Sequence, residues 1–326
     1  FISMTTVVWV VGGIVGIGLA SWLLGFAAER LRSVPLEPAK LAWVSPQMTV
    51  EHADLNGVKV RYVKAGKGPN LVLLHTLRTQ LDIYQSMIPE LQETFTVKAL
   101  DYPGHGWSDI PDARYAPEDF YGWVEAFLET ADIDNAIVAG TSIGGTIALE
   151  LAARDNPRVA KVVSINPYDY PITYTSGLKG SSLVASLVHT AIEVPVVGEA
   201  FMRLRMRWME RLIFEGGLAN KRSLSNALFD EMSAVGNRPG QLKGFMSLLR
   251  ESQKWQNARD TYENIKVPVL LVYSDQDWGP QADRERTASL IPNVEVVTVE
   301  NAGHFLPVDK PKELAKLIRG FANTEE

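Results

Sequence analysis

From about residue 46 onward, short apolar runs alternate with amphipathic stretches. MTVEHADL and VKVRYVKAG each alternate apolar and polar positions and flank Asn56-Gly57, a pattern that predicts a β-hairpin. NLVLLHT, FTVKALDY, NAIVAGTS, AKVVSINP, PVLLVYSD and VEVVTVE are continuous runs rich in Val, Ile and Leu. Runs of this kind suit strands buried on both faces of a parallel sheet. Helical periodicity falls between most of them, over residues 81–91, 117–131, 145–154, 281–290 and 312–321. Strands alternating with helices predict an α/β fold, a mostly parallel sheet flanked by helices.

Two intervals depart from this rhythm. About a hundred residues between SINPY and VPVLLVYSD hold no good strand and predict several helices: SSLVASLVHTAI, EAFMRLRMRWMERLIF, SLSNALFDEMSAV and QLKGFMSLLRESQKW. An all-helical insertion into an α/β core suggests a cap over a site. Arg203, Arg207 and Arg211 recur every four residues. They predict one basic stripe, either resting on an anionic membrane surface or simply solvated. The second interval is residues 7–28, VVWVVGGIVGIGLASWLLGFAA, which carries no charge. As a helix it would span roughly 33 Å, enough to cross a hydrocarbon core. A cleaved signal peptide is the alternative, but no Lys or Arg precedes the run. Arg30, Arg32 and Lys40 follow it, so the positive-inside rule places the remainder in the cytoplasm. Gly12 and Gly16 offer a small-residue face for a second helix, hence a homo-oligomer through this segment. The expected organisation is a transmembrane anchor (7–28), a linker (29–45), a core (46–168 and 263–326) and a helical cap (169–262).

Composition narrows the chemistry. The 326 residues carry a net charge of −6, so nothing global points to nucleic acid. There is no cysteine, which removes disulfides and thiolate nucleophiles. The five histidines show no metal-ligand spacing, so no metal is implied. Gly13, Gly16 and Gly18 have the wrong order for a dinucleotide loop, so no nucleotide cofactor is implied either.

The informative motif is Gly140-Thr-Ser142-Ile-Gly144, a G-x-S-x-G between a predicted strand and a predicted helix. In that context it reads as a nucleophile elbow presenting Ser142. A serine needs a base, and the base needs an orienting acid. His304 lies in a loop after a strand, in NAGHF, and is the candidate base. LLVYSDQD ends another strand with two acids, Asp275 and Asp277, which compete for the third role; Asp169 is a more distant alternative.

Residues 46–326 resemble the α/β-hydrolase superfamily through LVLLHT, DYPGHGWSD, GTSIGG, LLVYSDQD and NAGHF, in that order. The resemblance implies Asp277 as the acid, because Ser274 occupies the small position three residues before it. It also implies an oxyanion hole from the N–H groups of Ile143 and Leu77, although Thr76 stands where the family usually has glycine. Arg78 is unusual so near the site. It either pairs with Asp82, one turn on, or touches a polar part of the substrate. His75 and His105 take structural roles on this reading. Haloalkane dehalogenases and epoxide hydrolases of the superfamily use an aspartate at the elbow, so Ser142 argues against both. One N-terminal membrane helix before a capped hydrolase resembles the membrane-anchored monoacylglycerol lipases. The implied activity is serine-dependent hydrolysis of a lipophilic carboxylic ester, without cofactor. The alternatives are a C–C bond hydrolase, a perhydrolase, an acyltransferase, or a noncatalytic binding protein on the same scaffold.

Overall fold

A computed structural model describes residues 4–38, 41–171 and 197–324. Its centre is an eight-stranded sheet: β1 (Met48–Leu55), β2 (Val58–Ala65), β3 (Asn70–Leu74), β4 (Thr96–Leu100), β5 (Ala136–Thr141), β6 (Val159–Ile165), β7 (Val269–Gln276) and β8 (Val294–Gly303), in the order β1-β2-β4-β3-β5-β6-β7-β8. The Asn56-Gly57 turn closes the hairpin, pairing Leu55 with Val58. β2 meets β4 antiparallel, and every later pairing is parallel. All six residues of β5 are buried, as its unbroken apolar run predicts for a strand covered on both faces. The edge strand β1 instead buries only Met48, Ala53 and Leu55 and leaves its other positions exposed or half-buried. The C-terminal ends of the central strands therefore open on one side, where β5, β7 and β8 run into the loops holding Ser142, Asp277 and His304.

The flanking helices are α1 (Met4–Leu31), α2 (Ile88–Leu91), α3 (Pro117–Thr130), α4 (Ile143–Ala153), α5 (Val197–Leu204), α6 (Arg207–Gly216), α7 (Asn226–Val235), α8 (Gln241–Glu251), α9 (Gln281–Leu290), α10 (Leu306–Asp309) and α11 (Pro311–Ala322). Residues 81–91, expected as one helix, form a 3₁₀ turn (Leu81–Tyr84) and the short α2. Pro89 takes the second position of α2, where its missing N–H costs no helical bond, so the helix begins at Ile88 instead of continuing from Leu81. EAFMRLRMRWMERLIF is likewise two helices, because Arg205 takes a left-handed conformation (φ 41°) between α5 and α6. The expected basic stripe is thus divided. Arg203 stacks on Phe26 of α1 at 4.1 Å, while Arg207 and Arg211 lie over Phe229, beside Asp230 and Glu215. Each of the three cations thus has a partner within the protein, while Arg207 and Arg211 remain partly exposed to solvent. The SSLVASLVHTAI helix, with His189, lies outside the described residues.

Residues 7–28 belong to the 28-residue helix α1, yet among the described residues no helix is long and apolar enough to cross a membrane. The expectation of a membrane-spanning helix is therefore not supported. The C-terminal part of α1 packs on α5. A Cβ on Gly25 would lie 2.9 Å from the Ala200 carbonyl oxygen, so the missing side chain is what lets the two helices approach. Arg32 secures the end of the contact, donating to the Arg203 carbonyl at 2.8 Å and to Asn237 Oδ1 at 2.8 Å.

A buried ion cluster ties the hairpin to the sheet. Arg61 of β2 is wholly buried and donates through Nε to Asp101 Oδ2 at 2.6 Å and through Nη2 to Asp82 Oδ2 at 3.1 Å. Asp101 also accepts the backbone N–H groups of Leu81 and Trp107, at 2.7 and 3.0 Å. Removing one partner would strand a buried charge, which costs far more than the pair contributes net. Asp101→Ala is expected to lose about 3 kcal/mol of stability, read as a lower chemical denaturation midpoint. An unchanged midpoint would show that Arg61 finds other acceptors.

Candidate active site

Ser142 sits at the turn from β5 into α4 with φ 58° and ψ −118°, a strained conformation for a residue with a side chain. Two close backbone crossings impose it. A Cβ on Gly140 would lie 2.0 Å from the Gly144 carbonyl oxygen, and one on Gly144 would lie 2.2 Å from the Leu74 carbonyl oxygen. Only glycine fits at either position. The turn is held by Ser142 N–H donating to the Ile165 carbonyl at 2.8 Å and by Thr146 N–H donating to the Ser142 carbonyl at 3.1 Å. The Ser142 side chain is fully buried.

His304 and Asp277 meet at the other side of the strand ends. Asp277 Oδ1 lies 2.5 Å from His304 Nδ1, with both side chains buried. This leaves Nε2 as the free ring nitrogen, and it has no hydrogen-bond partner among the described residues. The second oxygen of Asp277 accepts the Gly279 N–H at 3.1 Å and lies 3.7 Å from Arg284. Arg284 also braces the loop, donating to the carbonyls of Ser274, Asp277 and Gly279 at 3.0, 3.2 and 3.0 Å. The competing acids go elsewhere. Asp275 is exposed and accepts the Ala302 N–H at 3.0 Å. Asp169 is buried among Arg259, Tyr262 and Thr287, where burial pushes its carboxyl up to about 6.

The loop after β3 carries the second expected oxyanion donor. Thr76, in the place of glycine, is not among the positive-φ residues, so its backbone does not call for glycine, and the loop turns about its carbonyl oxygen. That oxygen accepts from Thr79 Oγ1 at 2.8 Å and from Thr79 N–H at 3.3 Å, and it lies 2.8 Å from His75 Nδ1. Arg78 then takes the left-handed conformation, φ 57°. Among the described residues the N–H groups of Leu77 and Ile143 donate no hydrogen bond, as an oxyanion hole requires. His75 and His105 lie behind this loop, their rings 5.4 Å apart, packed with Tyr102. Burial holds both imidazoles neutral, His105 falling to about 4.

Arg78 does not pair with Asp82, which is engaged by Arg61, Trp43 and Gln80. It pairs with Glu210 of α6, which also accepts from Ser233 at 2.9 Å, and it lies over the Phe245 ring at 4.9 Å. Both ends of that ion pair line a cleft with Thr76, Leu77 and His304. Most of the rest of the cleft wall is Met, Ile, Leu, Phe and Trp. Among the residues expected at the site, Leu77, Arg78 and His304 line it, while Ser142, Ile143 and Asp277 do not.

Other residues that serve the site carry no local sequence signal. Trp278 stacks on the His304 ring at 4.2 Å and 12°. Asn166, in a left-handed turn after β6, donates to Ser274 Oγ at 3.0 Å and to the His304 carbonyl at 3.1 Å, and accepts from Ser274 N–H at 2.8 Å. It thereby links the acid loop to the base loop. Asp309 accepts the N–H groups of Gly303 at 2.9 Å and Ala219 at 2.7 Å, joining the base loop to the segment after α6.

An alpha/beta hydrolase family model matches residues 71–317. The chain belongs to that family. Within this alpha/beta hydrolase, the relatives divide by chemistry. It is 27% identical to the dihydrolipoyllysine-residue acetyltransferase component of an acetoin cleaving system from Cupriavidus necator, over 82% of this chain and 68% of the other. It is 27% identical to a pimeloyl-[acyl-carrier protein] methyl ester esterase from Aromatoleum aromaticum, over 77% and 96%. It is 26% identical to haloalkane dehalogenase 2 of Mycobacterium tuberculosis, over 81% and 92%. Among solved structures, a membrane phospholipase A superposes with a TM-score of 0.71 at 23% identity, covering 97% of each chain. A serine hydrolase of carbazole degradation gives 0.68 at 17%, covering 84% of this chain and 98% of its own. At these identities the structures establish the fold.

Two outcomes test the site. Asp277→Asn should reduce kcat by about 10⁴ while Asp275→Asn leaves it within a few-fold, measured on any turned-over ester; the opposite ranking would reassign the acid. The second concerns pH. The unfolded chain protonates His105 near pH 6.5 and the folded protein only near pH 4. Stability is therefore full above pH 6.5 and falls as pH drops from 6.5 toward 4, by about 3 kcal/mol. His105→Phe should flatten that slope in urea titrations, leaving the part due to His75; an unchanged slope would remove His105 from the balance.

Proposed function

We propose that the protein is a serine hydrolase acting on lipophilic carboxylic esters through an acyl-enzyme. The observation that carries this reading is the buried Asp277–His304 pair at 2.5 Å, whose remaining ring nitrogen is unpartnered, beneath a largely apolar cleft. In this reading His304 Nε2 takes the Ser142 proton as Oγ attacks the ester carbonyl. The N–H groups of Leu77 and Ile143 receive the oxyanion. His304 then returns the proton to the departing alcohol, and water, activated the same way, releases the acid. Asp277 keeps Nδ1 as the protonated nitrogen. Ser142 rather than aspartate at the elbow is what distinguishes this chemistry from that of the dehalogenase relatives.

The apolar character of the cleft favours a long acyl chain. Met202, Met209, Ile213, Phe214, Phe245 and Leu249 form much of its wall. Association with a membrane belongs to the same proposal. Trp9, Ile17, Leu19, Leu23 and Leu24 leave α1 with large exposed apolar side chains, which a lipid surface would cover.

Each buried methylene contributes about 0.8 kcal/mol, or nearly fourfold in kcat/KM if the gain is fully expressed in the transition state. Across p-nitrophenyl esters from acetyl to palmitoyl, at fixed detergent, kcat/KM is expected to climb over several carbons and then level or fall. Ser142→Ala should abolish the activity throughout. A strict preference for acetyl would sink the lipophilic reading and leave the serine mechanism. Turnover by Ser142→Ala would sink both.

A further inference from the structure

The wall of the cleft contains a cation that ester hydrolysis by itself does not use. Arg205 lies at the break between α5 and α6, and its left-handed backbone turns it inward. It lines the cleft, and its side chain is 1% exposed. Nη2 donates to Glu29 Oε1 at 2.8 Å, but Nε and Nη1 have no hydrogen-bond partner among the described residues. Buried guanidinium N–H groups without acceptors are expensive, and folded proteins rarely leave them so.

The local charge balance points the same way. Glu29 is shared, since Arg32 Nε lies 3.6 Å from its other oxygen. Arg78, across the same cleft, has Glu210 as its partner. Among the described residues, the cleft wall thus carries two guanidinium groups, Arg205 and Arg78, and one carboxylate, Glu210, while Glu29 behind Arg205 is shared with Arg32. Burial opposes the charge on Arg205, and the nearby Arg32 and Arg78 add to that opposition. An anion entering the cleft would supply both the missing acceptors and the missing charge. The surrounding Met202, Met209 and Ile213 offer it nothing polar, so it would have to arrive on an otherwise lipophilic molecule.

We propose that Arg205, backed by Arg78, forms an anion subsite in this cleft, and that the preferred substrates are lipophilic acyl esters bearing a carboxylate or phosphate group. The proposal rests on the serine hydrolase reading for the reaction, but not for the binding. Glu29, outside the cleft wall, then acts as the resident counterion that competes with the anion for Arg205.

The test compares matched pairs on the full-length protein. One pair is a monomethyl ester of a long dicarboxylic acid and the methyl ester of the monocarboxylic acid of equal length. The other is a lysophosphatidic acid and the monoacylglycerol with the same acyl chain. In the wild type, kcat/KM for the anionic member should exceed that for the neutral member by about tenfold or more in one pair. The pair that shows it tells carboxylate from phosphate. Arg205→Met should collapse that ratio toward one, and Glu29→Gln should increase it. Preference for the neutral member in both pairs, or an unchanged ratio in folded Arg205→Met, would overturn the subsite. Should Arg205→Met fail to fold, the wild-type ratios and Glu29→Gln decide. Binding of dodecyl phosphate and of dodecanol to Ser142→Ala, by calorimetry, separates this inference from the reaction. Tighter binding of the phosphate supports the subsite even if no ester is turned over, and equal binding refutes it even if esters are hydrolysed.

Discussion

The turn at Ser142 is the constraint on which the rest of the structure depends. A residue with a side chain is held at φ 58° because β5 enters α4 with almost no room, Gly140 and Gly144 each passing another backbone atom closer than any Cβ allows. That geometry survives only because the flanking elements are rigid. β5 is buried along its whole length and α4 has no exposed residue, so local relaxation would disrupt the core on both faces of the sheet. Strain of this kind is stable when the surroundings over-determine it, and a buried parallel sheet does so.

Around that point, loops from separate strands are tied by polar contacts rather than by packing alone. The Arg61–Asp101–Asp82 cluster braces the loop after β3 from behind, and the Thr76 carbonyl accepts from Thr79 within it. Asn166 binds the acid loop to the base loop, and Arg284 holds the acid loop through three carbonyls. Most of the polar atoms in these contacts are paired and buried, so the network resists movement of Asp277 against His304.

The helical insertion is coupled to the same loops. Asp309 bridges the His304 loop and the segment after α6, and Phe305 N–H donates to the Gly217 carbonyl at 3.0 Å. On its other side the insertion meets α1, where Gly25 approaches Ala200 and Glu29 reaches Arg205. The N-terminal helix is thus two side chains away from the cleft wall, and a change in how it packs would be felt at Arg205.

Local patterning along the chain was enough for the strands, the Asn56-Gly57 hairpin and the elbow, because each depends on residues adjacent in sequence. Apolar runs specify buried strands, a turn dipeptide specifies a hairpin, and glycines two positions from a serine permit the sharp turn. The choice between Asp275 and Asp277 rested on family spacing, and only the fold set one against the imidazole and left the other in solvent. Periodicity failed where a single backbone torsion broke it, at Arg205, and where the chain turns between Tyr84 and Ile88, with Pro89 suited only to the first turn of the helix that follows. The partners of Arg78, the stacking of Trp278 on His304 and the unpaired N–H groups of Arg205 join residues separated by tens to more than a hundred positions. No local pattern encodes such meetings. They arise when distant elements are packed together and every buried charge must take whatever partner the packing leaves within reach.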